Sequence, residues 1–123
     1  MKKMLLALLA VAAVASGPAT AQASRQPATA GHSALLARVN VAESEFKIVL
    51  NKKSAGRGVV IFKVTNVGAV DHDFQISGRK TKMLKHGQSA TLRVTFLRKG
   101  AYAYKCTVPG HAAAGMKGVF TVK

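Results

Sequence analysis

What most constrains the fold is a succession of short segments, from Leu35 to the end of the chain, in which apolar and polar residues alternate between turn signals. A period of two puts one set of side chains on one face of a β-strand. Ala37, Val39 and Val41 alternate with Leu36, Arg38 and Asn40, and Phe46, Ile48 and Leu50 alternate with Lys47 and Val49. Residues 58–67 (GVVIFKVTNV) are rich in β-branched and aromatic side chains and read as a central strand. Phe74 and Ile76 mark another, residues 91–96 alternate again, and residues 101–107 and 117–122 complete the set. Residues 51–58, 86–89 and 99–100 read as turns, and no stretch of this part has the period of a long helix. Seven to eight short strands at this spacing predict an all-β sandwich of antiparallel sheets, each with one buried face.

The segment before it has a different character. Met1-Lys2-Lys3 leads into an apolar run, residues 4–15, and then a small-residue stretch ending Ala21-Gln22-Ala23. A basic start, a short apolar core and an A-x-A end are the parts of a secretory signal peptide, so residues 1–23 are expected to be removed on export. The run is shorter than the ~20 residues a membrane span needs, which disfavours an uncleaved anchor and any stable insertion after cleavage. Residues 24–34 are small and polar, with Pro27 and Gly31, and read as a flexible leader. The folded domain is then expected over residues 35–123, in a periplasmic or secreted protein.

Nineteen Lys and Arg stand against four Asp and Glu. Such an excess either favours an acidic partner or serves solubility alone. Export and the lack of aromatics interleaved with the basic residues argue against nucleic acid. Cys106 is the only cysteine, so it cannot form an internal disulfide. It is a buried thiol, an intermolecular link or a metal ligand.

Cys106, His111 and Met116 follow one another at intervals of five in the segment YKCTVPGHAAAGM. Cys106 lies at the end of a predicted strand and Met116 just before the last one, so their loop gathers three donors at one end of a sandwich. Thiolate and thioether are soft ligands and imidazole suits copper; two His, one Cys and a weak Met form the set of a blue-copper electron-transfer site. His72, after the long central strand and its turn, is the best second histidine. His32 falls in the leader, and His86 reads as a solvated turn residue. Met83, among lysines, reads as core, and Tyr102 and Tyr104 read as packing residues.

These residues resemble the cupredoxins. Y-x-C-x-x-P-G-H-x-x-x-G-M-x-G is matched from Tyr104 to Gly118, and N-x-G-x-x-x-H-x-F from Asn66 to Phe74, within a resemblance running from about Val39 to Lys123. It implies a Greek-key β-sandwich holding one copper ion near one end, with His72 and His111 as imidazole ligands, Cys106 as thiolate and Met116 as axial thioether. The position after the first histidine, often Asn in the family, is Asp73 here. Its carboxylate is expected to accept hydrogen bonds from the backbone of Thr107 and to lower the potential. The expected function is one-electron transfer by a monomer that is not an enzyme, with an acidic redox protein such as a cytochrome or copper oxidoreductase as partner. A copper transport or storage protein would use the same four ligands. A copper enzyme would need a second site for which too few histidines remain, and methionine gives no reason to choose zinc.

Overall fold

A computed structural model describes residues 36–123, together with Gly17. The expected signal peptide and leader lie outside the described residues. Among the described residues, nine strands form two sheets: β1 (Leu36–Ser44), β2 (Lys47–Leu50), β3 (Ser54–Ala55), β4 (Gly58–Asn66), β5 (Gln75–Ile76), β6 (Arg79–Lys80), β7 (Ser89–Phe96), β8 (Gly100–Lys105) and β9 (Lys117–Val122). One sheet has the order β2-β1-β4-β7 and the other β3-β9-β8-β5-β6. This is the all-β sandwich read from the alternation.

The burial pattern follows the period of two. Val39 and Val41 of β1, Val60, Phe62 and Val64 of β4, and Leu92, Val94 and Phe96 of β7 point into the core. Ile76, Tyr104, Phe120 and Val122 meet them from the other sheet. Phe62 occupies the centre, with ring centroids 5.3 Å from Phe120 and 5.4 Å from Phe74. Burying one such side chain fully contributes about 1.5–3 kcal/mol, so these alternating apolar positions set the register of each strand.

Several expectations are corrected. Among the described residues there are nine strands where seven or eight were expected, because the turn expected over residues 51–58 contains β3, which pairs in parallel with β9, and the short β6 pairs with β5. A second parallel pair joins β1 to β4, so the sheets are mixed rather than purely antiparallel. β8 ends at Lys105 instead of continuing through Thr107, and the backbone leaves the sheet at Cys106. Phe46 does not continue the inward row of Ile48 and Leu50. It lies in the tight turn between β1 and β2, where the paired strands are already closed by Ser44 and Lys47, and is 46% exposed. Met83 is not core: Leu84 is pulled inward by a two-way backbone bridge with His72, so its neighbour faces out, 45% exposed. One helical turn, α1 (His111–Ala114), interrupts the β structure.

Candidate metal centre

The site is assembled where the loop before β5 meets the loop between β8 and β9. His72 is fixed by its main chain: its amide donates to the Leu84 carbonyl at 3.0 Å, and the Leu84 amide donates back at 2.8 Å. Asn66, fully buried at the end of β4, ties down both sides of this loop. Its Nδ2 donates to the carbonyls of Val70 and Leu84, each at 2.7 Å, and its Oδ1 accepts from the Gly68 amide at 2.8 Å. The shape of the loop therefore rests on one amide side chain with every partner accounted for.

The second loop is held by its own backbone. The Cys106 amide donates to the Met116 carbonyl at 3.0 Å, and the Met116 amide donates to the His111 carbonyl at 3.1 Å. Gly110, at φ 84°, makes the left-handed turn into α1 that a side chain would disfavour. Three sequence-predicted residues thus converge: Nδ1 of His72 lies 3.2 Å from Nδ1 of His111 and 4.0 Å from Sγ of Cys106, and Sγ lies 3.6 Å from Nδ1 of His111. Met116, the fourth, is fully buried and bonded through its backbone to Cys106 and His111. His86 is exposed and its Nδ1 bonds the Gly68 carbonyl at 2.7 Å instead of joining the group. His32 lies outside the described residues.

This donor set fits copper. Two imidazole nitrogens and one sulfur face a common point with all three atoms within 4.8 Å of one another. Only one of two Nδ1 atoms in such a pair can donate to the other, so the remaining lone pairs are best matched by a cation. Sulfur with imidazole is the soft combination that copper prefers. Burial pushes the Cys106 thiol up, so metal uptake at neutral pH displaces its proton.

Three residues that the sequence did not place at the site, Glu43, Glu45 and Phe46, also lie there or next to it, beside Asp73, which it did. Asp73, 1% exposed, accepts from the Thr107 amide at 2.6 Å and from the Thr107 hydroxyl, as its position suggested for the amide. Glu43, fully buried in β1, has neither carboxyl oxygen hydrogen-bonded among the described residues, and burial with the nearby Asp73 charge pushes it up to about 8. Glu45 and Phe46, the turn between β1 and β2, contact the two histidines: Glu45 Oε1 lies 3.2 Å from Nε2 of His72, and the Phe46 ring meets His111 edge-on at 5.2 Å. The signal for the acids was present in the sequence, since all four of its Asp and Glu are Glu43, Glu45, Asp71 and Asp73.

A two-sheet β-sandwich with a sulfur and imidazole donor set at one end defines a copper protein of the cupredoxin class. The model of copper binding proteins of the plastocyanin/azurin family matches residues 34–123, and the chain belongs to that family. Copper is accordingly its cofactor. Auracyanin-B of Chloroflexus aurantiacus (strain ATCC 29366 / DSM 635 / J-10-fl) is 48% identical over 42 residues, which cover 34% of this chain and only 18% of that protein. Among solved structures, sodium-dithionite-reduced auracyanin from the photosynthetic bacterium Roseiflexus castenholzii aligns with a TM-score of 0.62 at 26% identity, covering 70% of this chain and 96% of that one. A structure of auracyanin B aligns with a TM-score of 0.61 at 23% identity over 72% of this chain and 88% of that one, a likeness of fold. No helix among the described residues is long and apolar enough to cross a membrane.

Proposed function

We propose that the protein is an exported, monomeric one-electron carrier in which His72, Cys106, His111 and Met116 hold a single copper ion. Copper in such a site supplies a one-electron couple between Cu(I) and Cu(II). The observation that carries the reading is the convergence of His72 Nδ1, His111 Nδ1 and Cys106 Sγ on one point.

The residues each have a part in it. His72, Cys106 and Met116 are buried at 1% exposure or less, which excludes water from the donors and resists their rearrangement between oxidation states. Two loops, one pinned by Asn66 and one by the Cys106–Met116 backbone bond, keep the donors in place. His111 is half-buried, beside the exposed Phe46, Ala113 and Ala114, and is the ring through which an electron would leave. The excess of Lys and Arg suits an acidic redox protein, a cytochrome or copper oxidoreductase, rather than nucleic acid. Export to the periplasm or beyond rests on the signal-peptide pattern of residues 1–23.

Burial of the donors favours holding copper over handing it on, which weighs against a transport or storage role. A filled coordination set leaves no position for a substrate, which weighs against an enzyme. The test is the visible spectrum of the copper-loaded protein. An intense thiolate-to-copper band that Cys106→Ser abolishes is expected, together with copper retention against a chelator and electron exchange with a c-type cytochrome. Absence of the band, or rapid copper loss without electron exchange, would overturn the reading.

A further inference from the structure

The turn between β1 and β2 reaches the metal centre although none of its residues belongs to the donor set. Glu45 Oε1 lies 3.2 Å from Nε2 of His72, the ring nitrogen facing away from Cys106 and His111. The same oxygen accepts from the Val70 amide at 2.9 Å, so the carboxylate bridges the backbone of the His72 loop and the ring it carries. Gly68 leaves the room: a methyl group there would meet the Glu45 carboxyl carbon at 2.9 Å and Oε1 closer still. The main chain adds to the bracing, with the amides of Val67 and Gly68 donating to the Glu43 carbonyl at 2.8 and 3.2 Å.

We propose that Glu45 is a positioning residue of the metal centre, whose carboxylate accepts the Nε2 proton of His72, fixes Nδ1 as the metal-facing nitrogen and shifts the preference of the site toward oxidised copper. This deepens the one-copper reading above and rests on it for the last clause alone. A neutral imidazole carries one N–H, and its tautomer is set by the stronger acceptor. With a carboxylate on Nε2, the proton resides there and Nδ1 keeps its lone pair for the metal. Carboxylates in this position orient metal-bound histidines and raise their basicity, and their loss typically costs about 10–100-fold in metal affinity. Greater ligand basicity favours Cu(II) over Cu(I), the ion of higher charge.

The test compares the full-length-domain protein with Glu45→Gln, Glu45→Ala, Gly68→Ala and Asp71→Asn. In the copper-free protein, NMR of the histidine ring nitrogens should find the His72 proton on Nε2 in the wild type. Glu45→Ala should give both tautomers, and Gly68→Ala, which displaces the carboxylate but keeps its charge, should do the same. An unchanged single tautomer in both variants would overturn the positioning role, whatever the copper chemistry proves to be. In the copper-loaded protein, Glu45→Gln should weaken Cu(II) binding relative to Cu(I) by about tenfold, which for a one-electron couple is about 59 mV upward in potential. Asp71→Asn removes an equal charge one residue from His72 without touching either ring nitrogen, and should shift the potential far less. Equal shifts in the two variants, or none in Glu45→Gln, would overturn the proposed effect on copper. A wild type that takes up no copper would instead sink the one-copper reading, and the copper-free NMR would still decide the Glu45–His72 contact.

Discussion

Asp73 accepts a hydrogen bond at 2.6 Å from the backbone amide of Thr107, joining the residue after one donor histidine to the residue after the donor cysteine. The Thr107 hydroxyl donates to the other carboxylate oxygen. The clasp crosses from one loop of the site to the other, with Asp73 almost completely shielded from water and Thr107 half-buried. It therefore fixes the separation of the two loops, and it places a negative charge beside the sulfur.

Asp73→Asn keeps the side-chain shape and removes that charge. Less negative charge near the thiolate disfavours Cu(II), so the potential should rise. A tenfold change in the Cu(II)/Cu(I) affinity ratio corresponds to about 59 mV, and a shift of about that size is expected in protein-film voltammetry. Asp73→Ala leaves the Thr107 amide without its acceptor and should also cost about 1–3 kcal/mol of stability, read by chemical denaturation.

Glu43 makes stability depend on pH. Its carboxyl is raised from 4.5 to about 8 in the folded protein, so between these values the folded state holds a proton that the unfolded state releases. Stability from this group is accordingly greatest at the acid side of the window and falls as pH rises toward 8, levelling above it. The slope at its steepest is about 1.4 kcal/mol per pH unit. Glu43→Gln should remove that slope and leave the variant more stable than the wild type at the alkaline end. Denaturation of the copper-free protein across this window measures both, and a wild-type curve that rises with pH there would contradict the assignment.

Gly118 faces the Tyr104 ring across the β8–β9 pair. A methyl group at residue 118 would lie 2.9 Å from Cε2 of Tyr104 and closer to its hydroxyl end. Tyr104 is 7% exposed and packs on Phe74 at 5.6 Å, so it cannot swing aside without disturbing the core. Gly118→Ala should cost about 1–3 kcal/mol. The cost should be smaller in a Tyr104→Leu background, a non-additivity that a double-mutant cycle detects.

Electron exchange should report the charge imbalance of the chain. With seventeen basic and four acidic residues beyond residue 23, association with an acidic redox protein should be electrostatically steered. Raising ionic strength from about 0.01 to about 0.15 M shortens the screening length from about 30 to about 8 Å. The bimolecular rate measured by stopped flow should then fall by about tenfold or more. With a basic partner the dependence should reverse.

The alternation of Val39 and Val41, of Val60, Phe62 and Val64, and of Leu92, Val94 and Phe96 was enough by itself to determine a sandwich of strands, because a period of two dictates which side chains can be buried together. The Cys106–His111–Met116 spacing likewise determined a donor loop, since these residues are neighbours along one short stretch of chain. Tertiary structure decided the rest. The His72–His111, Glu45–His72 and Asp73–Thr107 contacts span 39, 27 and 34 positions, and no local pattern encodes such pairs: the first and third were expected only through the family resemblance, and the second not at all. They exist because the packing of two sheets sets where the loops end. The same packing turned Met83 outward and put Phe46 at the surface beside His111, since the direction of a side chain next to a bridge or in a turn depends on how the neighbouring backbone is already bonded.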